Sequence, residues 1–363
     1  MPRVIGIDPG TLSVDLCGLE DGRLFLDRSL PTAQALADPS HLIALLDAAQ
    51  PLDLIAGPSG YGLPLRRASE VSETDLKLAY LADSRATGGI GGLRSLMRAL
   101  AQSALPVVLT PGVIHLMSVP PHRKVNRVDM GTADKVCAAA LAIREQVARR
   151  GCRERDVSFV LLELGGAFTA ALAVQDGQIV DGLGGSSGPL GARAAGAFDG
   201  EVAFLAGNMS KGMLFEGGAA SIAGRTDAEP ETIAAPGTPV EHLAWEAYLE
   251  SAVKATAALS VSIESRPYEV ILSGRLARVA AVREELSRRL TRLMTESAVH
   301  ALTGFASVAK QAAQGAAVIA DGLAGGDSAT LVASMGIREA RGTVLDYLYV
   351  ISPDVARARL GIA

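Results

Sequence analysis

Apolar and polar positions alternate so as to divide the chain into short strands and longer helices, and the opening pattern returns midway. Val4-Ile5-Gly6-Ile7 is a largely β-branched apolar run that ends at Asp8-Pro9-Gly10-Thr11. A second strand is predicted from Ser13 to Leu19, reaching the turn Glu20-Asp21-Gly22, and a third from Arg23 to Leu26. Asp-Gly between apolar runs supplies the positive-φ residues that a tight hairpin needs. The arrangement recurs at Phe159-Val160-Leu161-Leu162, which ends in Glu163-Leu164-Gly165-Gly166. There a strand from Phe168 to Val174 reaches Asp176-Gly177, and another runs from Gln178 to Val180. A shift of 155 residues superposes Asp8 on Glu163, Gly10 on Gly165, and Asp21-Gly22 on Asp176-Gly177. This is an internal repeat, each half opening with a β-hairpin whose first strand ends in an acid and a glycine.

Helical spacing follows each hairpin. In the first half it predicts helices over Pro39 to Ala49, Glu73 to Ala82 and Gly92 to Ala104, alternating with strands at Leu52 to Ala56 and Pro106 to Leu109. A long helix is predicted from Thr132 to Arg149. The second half predicts helices over Val240 to Glu264, Val279 to Thr295 and Ser307 to Leu323, with a strand at Val270-Ile271-Leu272. Gly217 to Pro239 has several prolines and little periodicity, and reads as a loop. Strand–helix alternation of this kind implies an α/β fold with partly parallel sheets.

Composition narrows the class. A chain of 363 residues with 49% apolar and 20% charged residues has ample core for two or three domains and is not disordered. Its 39 glycines have no three-residue period, which excludes collagen. A formal charge of −5 provides no general basic footprint for nucleic acid. The three cysteines, Cys17, Cys137 and Cys152, have no metal-ligand spacing and fit a reducing compartment. The opening residues lack the pattern of a secretion signal, and no long uncharged apolar run suggests a membrane span. A cytoplasmic protein with no membrane or nucleic-acid partner is the expectation.

A strand ending in Asp-x-Gly-Thr or Glu-x-Gly-Gly makes a turn whose backbone lets phosphate oxygens approach closely. A carboxylate at the strand end can hold a hydrated divalent cation bridging those phosphates. Two such hairpins facing one another suit a nucleoside triphosphate. No Walker P-loop and no G-x-G-x-x-G occurs. Gly184-Gly185-Ser186-Ser187-Gly188 matches a nucleophile-elbow pattern, but Pro189 and more glycines follow it in place of a helix. Lys211, in a glycine-flanked stretch, reads by default as a solvated lysine, and Arg66-Arg67 as surface arginines.

VIGIDPGT and LLELGGAFT resemble the phosphate 1 and phosphate 2 motifs of the sugar kinase, actin and heat-shock chaperone superfamily. Val270-Ile271-Leu272-Ser273-Gly274-Arg275 resembles its adenosine motif, and Gln311-Ala312-Ala313-Gln314-Gly315-Ala316-Ala317 the helix linking its two domains. The helix beginning near Thr132 corresponds to the first linking helix. Within the superfamily the chain is most similar to an uncharacterised group of predicted butyrate kinases, through Asn126 to Lys135 and Gly184 to Val202. The second segment also resembles the Gly-Thr-Arg-Ser-Gly-Asp element of acetate kinases, with Ala192 in place of Thr.

The resemblance implies two ribonuclease H-like domains, each opening with a β-hairpin and carrying a mixed sheet flanked by helices, with the nucleotide in the cleft between them. The boundaries it suggests are 1–130, a linking helix at 131–150, a second domain at 151–325, and a helical segment at 326–363 that packs back. It implies an ATP-dependent phosphotransferase using Mg²⁺ on a small-molecule acceptor, either a short carboxylic acid, which needs no base, or a hydroxyl compound, for which Asp129 would be the base. By the superfamily's habit the protein would be a homodimer. Asp8 and Glu163 would hold the metal; Glu163 stands where many members have Asp. Gly10, Thr11, Gly165, Gly166, Ser273, Gly274 and Arg275 would bind nucleotide. Arg193 would be the catalytic cation with Asp199 nearby, and Asp129 or Asp134 would orient the acceptor. The superfamily also contains chaperone ATPases and filament formers, so a nucleotide-binding switch or assembly protein is the competing expectation.

Overall fold

The computed structural model describes residues 2–82, 89–265, 268–294 and 297–362. Strands Arg3–Pro9 (β1), Ser13–Glu20 (β2), Arg23–Pro31 (β3), Leu54–Pro58 (β4), Arg66–Arg67 (β5) and Val107–Thr110 (β6) form one mixed sheet, in the order β3-β2-β1-β4-β6-β5. Phe159–Leu164 (β7), Thr169–Gln175 (β8), Gln178–Leu183 (β9), Glu269–Ser273 (β10) and Val299–Ala301 (β11) form the other, in the order β11-β10-β7-β8-β9. Reading outward from each hairpin, β3-β2-β1-β4-β6 and β9-β8-β7-β10-β11 are the same topology. The repeat seen in sequence is therefore a repeat of architecture, with helices flanking both sheets, and the expected fold class is the one observed.

Predicted elements hold with shifted ends. The third strand runs on to Pro31, past an irregularity at Gly18/Leu19. The first long helix, Ala133–Arg150 (α1), ends where Gly151 takes φ 60°, a left-handed cap. Pro239–Ser260 (α2) starts in a capping box made by Thr238 and Glu241. Ala280–Leu293 (α3) ends before Thr295, the predicted last residue, which lies outside the described residues. Gly217 to Pro239 contains two short helical turns, at Ala219–Ile222 and Pro230–Ala234.

The helix predicted from Ser307 begins instead at Gln311 and ends at Leu323 (α4). Its approach is held by Asp27 of β3, whose carboxylate accepts from the amides of Ser307 (2.9 Å), Val308 (3.0 Å) and Ala309 (2.6 Å). Those three amides, just ahead of the first helical residue, are thus satisfied by a side chain of the first sheet. α4 is buried on nearly all sides because its residues are small. A Cβ on Gly6 of β1 would overlap the α4 backbone at Ala313 and Ala317, and one on Gly315 would overlap the Cys137 carbonyl of α1. Backbone therefore meets backbone at both contacts. The C-terminal residues Leu331, Val332, Met335, Ile337, Val344 and Leu345 are buried in the same core as the first sheet.

Gly→Ala inside a helix ordinarily stabilises by about 1 kcal/mol. Gly315→Ala should do the opposite and cost about 2–3 kcal/mol, since the new methyl overpacks the crossing. Chemical denaturation of the two proteins measures this, and an unchanged or raised unfolding free energy would disprove the tight crossing.

Candidate active site

Asp8, at the end of β1, is buried, and opposite it in the hairpin register stands Asp15, also buried. The turn between them closes on itself: the Gly10 amide donates to the carbonyls of Asp8 (3.1 Å) and Ser13 (2.9 Å), and Thr32 Oγ1 donates to Gly10 O at 2.7 Å. Thr11 is exposed at the tip. Lys310, the residue before α4, lies over this turn. Its Nζ is 3.0 Å from Asp15 Oδ2 and 3.2 Å from Ser13 O.

The second hairpin repeats the turn, with the Gly165 amide donating to Phe168 O at 3.0 Å. Glu163 sits beside Ser273 in the β7–β10 register, and Ser273 Oγ is buried with no hydrogen-bond partner among the described residues. Gly274, at φ 89°, folds down on Glu163: a Cβ there would be 2.9 Å from Glu163 Oε1 and 2.6 Å from Leu164 O. Only glycine fits on both counts. Its amide donates to Gln311 Oε1 at 2.8 Å, tying the turn to the head of α4. Arg275 lies near Gly166 but is engaged elsewhere, paired with Glu231 and, at 2.7 Å, with Glu229.

Between the hairpins stands the first turn of α1. Asp134 accepts from Thr132 Oγ1, and from Lys135 Nζ at 2.6 Å. The same ammonium is 3.1 Å from Glu163 Oε2, so it bridges the two acids. Burial raises Asp8 most, Asp134 adds to it against Lys310 and Lys135, and the carboxyl is pushed up to about 7. Burial also lifts Glu163 above the usual carboxylate range, against the pull of Lys135. Desolvation opposes the charge of half-buried Asp134 too, but Lys135 and Thr132 outweigh it and hold that carboxyl below the range. Burial opposes the Lys135 charge, and the two acids overcome it and raise its pKa. Asp8, Asp134 and Glu163 thus share one electrostatic cluster with two lysines.

The remaining predicted residues lie around this centre. The Arg193 segment is sewn to the second turn, with the Arg193 amide donating to Ala167 O at 3.0 Å. Its guanidinium has only a 3.4 Å contact to Ala228 O, and its buried Nε has no acceptor among the described residues. Asp199 is exposed and caps the helix Gly200–Ala206 through the Glu201 amide at 2.8 Å, apart from the cluster. Asp129 accepts from Ser186 N (2.9 Å), Ser186 Oγ (2.8 Å) and Gly131 N (3.2 Å). Lys211 is not the solvated lysine expected. Its Nζ stands 4.6 Å over the Tyr61 ring, and burial, opposed by Asp129, pushes it down to about 8. Lys135, Lys310 and Gln311 were missed as site residues because each acts through a partner distant in sequence.

Among the described residues no three His, Cys, Asp or Glu side chains group as a preformed metal cage. Two separated carboxylates fit a hydrated magnesium ion brought in on phosphates, since Mg²⁺ keeps several waters and takes few protein ligands. No described helix is long and apolar enough to cross a membrane.

A family model described as "Protein of unknown function (DUF1464)" matches residues 6–350. No curated protein matches the chain in sequence. Among solved structures it is similar to a propionate kinase from Francisella tularensis subsp. tularensis SCHU S4, at 14% identity and TM-score 0.61, covering 87% of this chain and 99% of that one. It is also similar to the acetate kinase of Porphyromonas gingivalis, at 13% identity and TM-score 0.57, covering 81% and 88%. The acetate kinase of Entamoeba histolytica follows at 11% and 0.55, covering 80% and 87%. At these identities the likeness is one of fold.

Lys211 should carry its charge only below about pH 8. Peptide-resolved acylation across pH should therefore show Lys211 reacting with a midpoint near pH 8. A midpoint at the free-lysine value of about 10.4 would disprove the desolvated seat against Tyr61.

Proposed function

This chain belongs to the DUF1464 family, and we propose that it is an ATP-dependent phosphotransferase acting on a small-molecule acceptor, in the first place a short-chain carboxylic acid. The observation that carries the reading is the Asp8–Asp134–Lys135–Glu163 cluster, in which the first turn of α1 meets the strand ends of two repeated hairpins. The fold is shared with proteins named propionate and acetate kinases, which favours a carboxylate acceptor. The segments Asn126 to Lys135 and Gly184 to Val202 favour the butyrate kinase-like group within that class. We take 1–130 and 151–325 as the two domains, with 131–150 linking them and 326–363 packing back.

In this reading the two glycine turns give the phosphate chain a surface without side chains, and Ser273, Gly274 and Arg275 border the adenosine. Asp8 and Glu163 would hold magnesium through water, and the ion, when bound, neutralises phosphate charge. An acceptor oxygen forms a bond to the γ-phosphorus as the bond to the bridging oxygen breaks, and ADP leaves with its electron pair. A carboxylate acceptor is already anionic, so no base has to take a proton. What the residues must do is position the reactants and balance charge in a place shielded from water. Arg193, with its unmet buried donor, is suited to the charge spread over the transferring group. Asp134 would orient the acceptor, while Asp129, held by three donors, fixes the Ser186 loop beside Tyr61 and Lys211.

ADP release should rise when acetate, propionate or butyrate is added, and small alcohols should give less. Arg193→Ala should lower the acceptor-dependent rate about 10²–10³-fold, the usual cost of one charge-stabilising donor, and Asp8→Ala should abolish it. Tight ATP binding with no stimulation by any acceptor would overturn the kinase in favour of a nucleotide-dependent switch.

A further inference from the structure

Both hairpin turns present shape to an anion but little charge, because the amides of Gly10 and Gly165 are engaged inside their own turns. The surrounding acids, Asp8, Asp15, Asp134 and Glu163, outnumber the lysines among them. A polyphosphate entering here needs a cation that is not already committed. Arg275 is held by two glutamates and Lys135 by two half-buried acids. Lys310 differs from both. Its side chain is 41% exposed and meets one carboxylate and one carbonyl, which leaves one of its three N–H donors without a partner among these contacts.

We propose that Lys310 is a phosphate-binding residue of the cleft, the cation that meets the nucleotide's phosphate chain at the first hairpin turn. The inference rests on the nucleotide reading given above and adds the residue that reading lacked at Gly10. Two independent features support the seat. Gly10 is not among the positive-φ glycines, so its backbone would admit other residues. A Cβ at Gly10 would, however, stand 2.5 Å from Lys310 Nζ and 3.1 Å from Ser13 O. Glycine at this position therefore makes room for the ammonium. The second feature is the clamp behind it. Asp27 holds the three amides before Lys310, and Gln311 just after it grips Gly274, so the lysine's backbone is fixed while its tip is open. Lys310 thereby joins the first turn to the adenosine-side turn through two successive residues.

Calorimetric binding of a non-hydrolysable ATP analogue, ADP and adenosine, with magnesium present, tests this. Lys310→Met should weaken both phosphorylated ligands about tenfold or more, as expected for loss of a charged hydrogen bond, and leave adenosine unchanged. Lys310→Arg should recover most of the loss. Removing Lys310 leaves Asp15 buried without its partner, so Asp15→Asn/Lys310→Met is measured as well. Weak binding in the double variant supports direct contact. Restored binding there overturns the proposal, since repulsion from Asp15 would then explain the loss. Lys310→Met binding the ATP analogue as tightly as wild type also overturns it. If the wild-type protein binds none of the three ligands, the nucleotide reading itself fails and takes this one with it.

Discussion

The rest of the structure depends on one constraint, the contact of helix α4 with the strand beneath it and the helix beside it at backbone distance. Gly6 admits the α4 backbone over the middle of β1, and Gly315 admits the Cys137 carbonyl of α1. Neither contact tolerates a Cβ, so the three elements lock at one relative height. That height decides where the two helix heads end. The head of α4 comes to rest over the Gly10 turn with Lys310, and the head of α1 comes to rest between Asp8 and Glu163 with Lys135. A packing requirement at small residues thus becomes a charge arrangement several residues away.

That arrangement runs against local preference, which is informative. A lysine in the first turn of a helix opposes the macrodipole, by roughly 0.3–1 kcal/mol at the surface. Lys135 is tolerated because Asp134 and Glu163 lie within 2.6 and 3.1 Å of its ammonium. Its burial would be costly if either acid were removed, since a buried charge without a partner is strongly destabilising. The acids in turn differ: Lys135 lies nearer Asp134, which is held ionised, while Glu163 is raised by burial. Neighbouring carboxylates of one cluster are therefore set to different protonation tendencies by a single shared cation.

The parts legible in the sequence were those encoded locally. Strand periodicity, the Asp-Gly turns and the matched spacing of Asp8 and Glu163 come from residues close together, and they disclosed both hairpins and their repetition. The small-residue run at Gln311 to Ala317 likewise carried its own signal. What escaped notice depends on tertiary approach. Lys310 meets Ser13 across 297 residues, and nothing near either marks the other. Lys135 read as a neighbour of Asp134 because its second acid lies on another sheet. Lys211 read as solvated because the Tyr61 ring that covers it belongs to the first half of the chain. Asp27 could not be seen as the acceptor for the amides that lead into a helix nearly three hundred residues later.

The two halves share a topology but not a division of labour. Each hairpin turn receives a lysine from the head of a buried helix, so the duplicated backbone is matched by a duplicated placement of charge. At the second hairpin the lysine is enclosed and bound to two acids, which makes it part of the framework. At the first it is partly open and bound to one acid, which leaves it able to turn toward a ligand. A symmetric arrangement would either enclose both lysines, leaving no open ammonium at the first turn, or expose both, leaving the acids unbalanced. The divergence of the repeat supplies one lysine for each need, and the seat at Gly10 is where the difference is expressed.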